Sequence, residues 1–415
     1  MKLKLLLVAF ALPLGGFAPV MAEPHSVLTL EAALKAALDI SPRLQAQDAA
    51  VRASAGAERQ AAARPNPEVS LNLENFAGRA GYGGLRAVET TASLTQTIEL
   101  GGKRAARRAV AAGDRRLAEV DRAREALDLR RDVTLAYGEV LAAEERLTLA
   151  RAQMALANDV AATVQRYVRA ARDPLLEDSK AELARTTAAI TEGQAERELR
   201  SARRYLALMT GIEDADVRLD RRVLTDASPP PRIETLRAGL RDLPDLQQHE
   251  ASIAKGRSAM TLEQAQAVPD PRVNVGFRDF ADSGATAFVL GVALPLPLFD
   301  RNQGGIERAR QEITRAEQTR IQAERDLLRL ALEARALWET AAADRKILED
   351  KARPQARRAL QLAREGYDRG LFNYLQVLDA QRALQEVEGQ ILDSLKQALA
   401  ARATLDRLTA RDSQD

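Results

Sequence analysis

The chain has 415 residues, with 61 basic and 59 acidic side chains, two histidines and no cysteine. That length allows two domains or one elongated one, and the missing cysteine excludes disulfides, thiolate metal sites, a cysteine nucleophile and a lipidated N-terminal cysteine. Once Lys2 and Lys4 leave with a leader, 59 basic residues face 59 acidic ones, which excludes the basic face that a nucleic acid's phosphates demand.

The leader is the first element. Lys2 and Lys4 precede the apolar run LLLVAFALPLGGF, and Val20-Met21-Ala22 offers small residues for cleavage. Residues 1–22 therefore read as a secretory signal peptide cut before Glu23. No later stretch approaches the roughly 18 apolar residues of a membrane helix. His25 and His249 lie far apart and read as surface or satisfied side chains, so no metal site or cofactor is expected.

Proline marks the elements that follow. A helix is predicted over 29–62, then a strand pair over about 68–100. A very long helix covers 103–168 and a shorter one 175–209. Ser228-Pro229-Pro230-Pro231 falls in a linker, 228–232, between a first unit, 23–227, and a second, 233–415. The second unit repeats the order: helix 233–266, strands over about 272–298, long helix 302–368 and helix 371–409. The helical stretches are rich in Ala, Leu, Arg, Glu and Gln, all strong helix formers. At 1.5 Å per residue each long helix would reach roughly 95 to 100 Å. Pro354 should kink or interrupt its helix. Leu127, Leu129, Val133, Leu135, Val140 and Leu141 form an apolar stripe among charged residues. A stripe that long needs equally long neighbours, in the same chain or in copies of it.

The two units carry matching landmarks. Pro42 answers Pro244, Pro65-x-Pro67 answers Pro269-x-Pro271, and Phe76 answers Phe280. Thr97-Ile98-Glu99-Leu100 answers Pro295-Leu296-Pro297-Leu298, Tyr137 answers Trp338, and Tyr167 answers Tyr367. One nearly constant offset across so many landmarks reads as a tandem duplication.

The strands alternate. Val69, Leu71 and Leu73 point one way, and Glu68, Ser70, Asn72 and Glu74 the other. Val88, Thr90, Ala92 and Leu94 share a face of the partner strand. Val273, Val275 and Phe277 alternate with Arg272, Asn274 and Arg278, before Phe288, Leu290, Val292 and Leu294. Apolar-out, polar-in strands of this length are the mark of a membrane barrel. Phe76, Phe277, Phe280, Phe288 and Phe299 cluster in or beside them, where an aromatic girdle would lie. A soluble hairpin capping a coiled coil is the competing reading. Four strands cannot close a barrel, so several chains would have to pool theirs.

This order of elements resembles the TolC-like outer-membrane efflux factors over essentially the whole mature chain. PNPEVSLNLENF, ETTASLTQTIELGGKR and LPLPLFDRNQGG resemble the heavy-metal branch, typified by the outer-membrane component of cobalt-zinc-cadmium efflux. The resemblance implies a mixed α and β fold: a homotrimer with a twelve-stranded barrel in outer-membrane lipid and a long periplasmic barrel of helices. It implies docking to a periplasmic adaptor and an inner-membrane resistance-nodulation-division pump. It also implies roles in 365–381, EGYDRGLFNYLQVLDAQ. Tyr367 would sit in a polar network at a closed entrance, and Asp379 in a ring of pore-facing aspartates that concentrates cations. Gln376 stands where some members have a second aspartate, and Phe372 where some have a gating arginine. Gly370, Leu371, Ala170 and Ala171 resemble tip positions that adaptors contact.

The expected function is a passive exit channel for heavy-metal cations. A channel for drugs or other small molecules, and a soluble periplasmic scaffold or adaptor, remain as alternatives. No glycine-rich phosphate loop, histidine base or metal constellation marks an enzyme.

Overall fold

The computed structural model of the protein describes residues 27–82, 85–172, 174–212, 217–225 and 228–409. The signal-peptide reading and His25 lie outside them. The first expected helix is two helices, α1 (Leu30–Ile40) and α2 (Pro42–Ala61). Pro42 has no N–H to donate into α1, so the chain breaks at Ser41, whose hydroxyl accepts from the Leu44 N–H at 3.4 Å. The second unit breaks at its matching proline. There α6 (Ile233–Leu240) ends, Leu243 is extended, and Pro244 opens α7 (Pro244–Gln266).

The long helix α3 (Lys103–Arg169) has 67 residues, about 100 Å at 1.5 Å per residue. It is followed by α4 (Leu175–Thr210) and a single turn, α5 (Arg222–Thr225). Its counterpart is not one regular helix. α8 (Gln303–Ile347) widens into a π-helical turn, Leu348–Ala352, and resumes as α9 (Arg353–Asp368). Pro354 is the cause. It brings no N–H for the carbonyl one turn below, and its ring crowds that carbonyl. In the widened turn the Arg353 N–H reaches back five residues to the Leu348 carbonyl, which relieves the crowding without ending the helix. The last helix, α10 (Tyr374–Thr409), starts three residues later than expected, because 370–373 form the turn before it.

Four strands form one antiparallel sheet in the order β1 (Glu68–Glu74), β2 (Glu89–Thr97), β3 (Arg272–Phe280) and β4 (Ala285–Ala293). They end before the expected limits of 100 and 298. The two hairpins join through β2 and β3, with Glu89 opposite Phe280 and Thr97 opposite Arg272. Strand meets helix at a small polar joint. Asp270, held between Pro269 and Pro271, accepts from the Leu100 N–H at 2.9 Å and pairs with Lys103 at 2.7 Å.

There is no single core. One buried cluster gathers Ala33, Leu34 and Ala37 of α1, Val133 and Tyr137 of α3, and Leu206 of α4. Its counterpart gathers Leu236 and Leu240 of α6 with Ala334 and Trp338 of α8 and Leu405 of α10. Tyr137 and Trp338 thus hold matching places under matching short helices, as the repeat predicts. Arg407 ties α10 across both units, forking onto Asp245 at 2.7 and 3.0 Å and reaching Asp128 at 2.9 Å.

The Tyr137 hydroxyl donates to the Leu28 carbonyl and accepts from the Asp220 N–H, both at 2.6 Å. Burial pushes this phenol up to about 12. Tyr137→Phe strands both backbone groups. We expect a loss of about 2 kcal/mol, seen as a lower thermal midpoint in detergent, with no change in that loss between pH 6 and 9.

Candidate functional site

The sheet has two unlike faces. On β2 and β3, Leu94, Val275 and Phe277 are exposed, whereas Thr91 and Ser93 are only 6 % and 7 % accessible. Register aligns whole rows. Val69, Leu94, Val275 and Leu290 form one apolar row, and Leu71, Ala92, Phe277 and Phe288 the next. The sheltered face is polar and internally bonded. Ser70 and Ser93 share a 2.8 Å hydroxyl contact, and Asn274 donates to Ser93 and Thr95 at 3.3 Å. Arg278 donates to Thr91 at 2.9 Å and pairs with Glu89 at 2.8 Å and Glu74 at 3.3 Å. Phe288 is 96 % exposed. This is the polarity of a water-soluble sheet turned inside out. Among the described residues, β1 and β4 each have one edge with no partner strand.

At the other end of the helices two turns lie side by side. Both are Schellman caps. In the first, the Arg172 N–H reaches the Tyr167 carbonyl and the Ala171 N–H the Val168 carbonyl, at 2.9 and 3.0 Å. In the second, Leu371 reaches Gly366 and Gly370 reaches Tyr367, at 2.8 and 2.9 Å. The left-handed residue is Gly370, at φ 74°, in one cap and Ala171, at φ 55°, in the other. By this register Tyr367 answers Val168 rather than Tyr167, a shift of one residue from the sequence alignment. The two tyrosines instead face each other across the repeat, ring centroids 5.4 Å apart, and Tyr374 lies 6.3 Å from Tyr367. The Tyr167 hydroxyl donates to the Asp368 carbonyl at 3.3 Å, and Arg172 covers the Tyr167 ring at 4.3 Å. Arg364 pairs with Asp159, a second link between the units. Burial raises the Tyr374 phenol above its ordinary range.

Long helices ending in paired turns, beneath a sheet of inverted polarity, set the context for comparison with known proteins. The outer membrane efflux protein family matches this chain twice, over residues 33–212 and 238–411. The chain belongs to the outer membrane efflux protein family. It is 31 % identical to the cobalt-zinc-cadmium resistance protein CzcC of Cupriavidus metallidurans, over 94 % of this chain and 91 % of that one. It is 28 % identical to the nickel-cobalt-cadmium resistance protein NccC of Alcaligenes xylosoxydans xylosoxydans, over 77 % of this chain and 70 % of that one. Its fold matches solved outer-membrane channels. The outer membrane protein VceC of Vibrio cholerae superposes with a TM-score of 0.76 at 20 % identity, covering 92 % of this chain and 95 % of that one. CusC gives 0.77 at 18 % identity, covering 92 % and 91 %. The double family match restates the tandem duplication, and an outer-membrane efflux protein is neither a soluble scaffold nor an enzyme. Among the described residues no helix is apolar enough to cross a membrane and no cluster of side chains could hold a metal ion.

Within this efflux protein the tip residues have distinct settings. Tyr367 is buried, packed with Tyr374 and Val377. Gly370, Leu371, Ala170 and Ala171 are exposed together, Leu371 at 71 %, and Arg172 comes within reach of Gly370. Asp379 is exposed on α10, on the same helix face as Gln376 and Glu386. Gln376 has a structural task that the sequence reading missed. Its side-chain oxygen accepts from the Asn373 N–H at 3.0 Å, while its own N–H donates to the Asn373 side chain at 3.4 Å. That is a capping box for α10, and Asn373 three residues earlier was the available signal. Phe372 lies over Gly366, where a Cβ would strike its ring.

Ala171 carries left-handed strain that glycine does not feel. Ala171→Gly should gain, and Gly370→Ala should lose, about 1 kcal/mol of local stability. Hydrogen exchange of the turn amides would read both, with slower exchange in the first variant and faster in the second.

Proposed function

We propose that this outer membrane efflux protein is the exit duct of a three-part export system for heavy-metal cations, assembled from three copies of the chain. The observation that carries the reading is the sheet: apolar on its exposed face, polar on its sheltered face, and unpartnered at both edges. In hydrocarbon each unpaired backbone group costs several kcal/mol, so β4 of one copy must meet β1 of the next. Four strands per copy make a twelve-stranded barrel in a trimer. The long helices hang below it and close a periplasmic tunnel by packing their stripes against neighbouring copies.

The chain supplies a conduit and no driving force. Energy comes from an inner-membrane pump of the resistance-nodulation-division type, through a periplasmic adaptor that grips the tips at Gly370, Leu371, Ala170 and Ala171. Tyr367 and the rings around it hold the entrance, Gln376 braces the first turn of α10, and Asp379 offers one carboxylate per copy to the axis. Three carboxylates around one narrow axis concentrate cations. The metal reading is supported by the relatives named for cobalt, zinc, cadmium and nickel resistance. The two structural units run over 23–227 and 233–415, with 228–232 as the linker.

Single-channel recording in a planar bilayer tests this. The protein should give discrete, cation-preferring steps, and Asp379→Asn should shift the reversal potential toward zero in a salt gradient. Currents indifferent to that substitution would remove Asp379 from the axis. No insertion, with protein soluble in the absence of detergent, would end the channel reading.

A further inference from the structure

The apolar belt on the sheet is too short for a membrane. Its rows run from Val273 and Val292 to Phe277 and Phe288, and in the next row outward only Leu73 is apolar, with Thr90 opposite Asp279 and Asp279 opposite Thr286. In β4 the apolar positions Phe288 to Val292 cover only about 10 Å along the membrane normal, at about 3.3 Å per residue and a tilt of about 40°. An outer-membrane barrel presents an apolar band of about 25 Å. The remainder must come from somewhere else in the chain.

Exposed apolar side chains continue just beyond the strand, on the side facing the helices. Phe288, Leu290, Val292, Leu294, Leu296 and Leu298 form one unbroken alternate-residue series, and all six are exposed. The second half of that series lies past the end of β4 at Ala293. The extended part, from Phe288 to Leu296, covers roughly 20 Å at the same rise and tilt, and Leu298 follows in a tight turn closed on the Leu296 carbonyl. Phe299, 91 % exposed, closes it. After β2 the series resumes beyond Gln96, with Ile98 and Leu100 exposed.

The backbone of the segment suits a place without water. Pro295 and Pro297 have no N–H, and the Leu298 N–H is used on the Leu296 carbonyl at 2.9 Å. The N–H groups of Leu294, Leu296 and Phe299 then need partners on the neighbouring copy, as the open edge of β4 does. The apolar series then stops abruptly at Asp300-Arg301-Asn302. Asp300 accepts from the Asn302 N–H at 2.8 Å, and Arg301 reaches back to the Pro297 carbonyl at 3.3 Å. An aromatic ring followed by a charged collar is the arrangement of a chain crossing from acyl chains to headgroups.

We infer that residues 294–299 lie in the helix-side leaflet of the outer membrane, against lipid acyl chains, and complete the hydrophobic belt that the strands leave short. This rests on the barrel reading above. It places the membrane boundary at Phe299–Asp300 rather than at the end of the sheet, so the strand-to-helix joint is a lipid-anchored collar.

The chain has one tryptophan, Trp338, which permits single-reporter fluorescence. In a Trp338→Phe background, Phe299→Trp, Leu296→Trp and Phe288→Trp would each be reconstituted into lipid vesicles with bromines at shallow or deep acyl positions. Emission of Phe299→Trp and Leu296→Trp should fall by roughly twofold with shallow bromines and stay insensitive to iodide in the water. Phe288→Trp should be quenched most by deep bromines. If Phe288→Trp is quenched by lipid but the other two only by iodide, the collar is in water and the inference is overturned. If the other two respond to neither quencher, they are covered by a neighbouring copy, which also overturns it. If no variant, Phe288→Trp included, senses lipid, the barrel reading itself fails. Leu296→Trp carries the test should Phe299→Trp not assemble.

Discussion

The structure depends on one constraint: a sheet that shows hydrocarbon side chains outward cannot leave its own edges open. Val69, Leu94, Val275 and Leu290 lie in one row, pointing away from the hydroxyls of Ser70 and Ser93 and the guanidinium of Arg278. In water the arrangement loses on both counts, since it exposes phenylalanine and shelters charge. In a membrane barrel both faces are satisfied at once, provided that β1 and β4 find partners. Assembly is therefore a condition of the fold rather than an addition to it.

The helices answer a related constraint. A 67-residue helix carries a stripe too long for any globular core. Seven of its sixteen buried positions are alanine or glycine, among them Ala136, Ala142, Ala143, Ala150 and Ala157, which let long neighbours approach closely. Two cores form where short helices cross the long ones, at the Tyr137 and Trp338 clusters. Near the tips a further buried cluster packs Tyr367 with Leu360, Tyr374 and Val377, joined by links across the repeat such as Arg364 to Asp159. Those exposed polar links are individually weak, which suits an end that must open to pass cargo.

Much of this was legible in the residues. Period-two alternation gave the strands and their faces, because a strand can satisfy lipid and water only in alternation. Proline spacing gave the helices, and the matched landmarks gave the duplication. What the sequence did not show were events decided by one local bond. Ser41 and Pro42 break a helix that composition alone would continue. The π turn before Pro354 is set by where a displaced carbonyl can go. Gln376 looked like a substitute for a pore-facing acid, yet its amide is occupied in capping α10. Ala171 holds a conformation usually given to glycine, so the first tip turn was harder to place than the second at Gly370. Asp379 lies exposed on the same face of α10 as Gln376.

The central claim, that β4 of one copy completes β1 of the next, can be tested by disulfide trapping. The chain has no cysteine of its own. Ser70→Cys on β1 would be combined in turn with Ala287→Cys, Val289→Cys or Gly291→Cys on β4, all on the sheltered face. Within one chain these positions are three strands apart, about 14 Å, beyond the roughly 7 Å limit for a disulfide. Any bond must therefore join two copies. The account predicts that one register yields covalent dimers and trimers on oxidation, and nothing larger. Monomer in every register, from protein that has inserted in membranes, would contradict it.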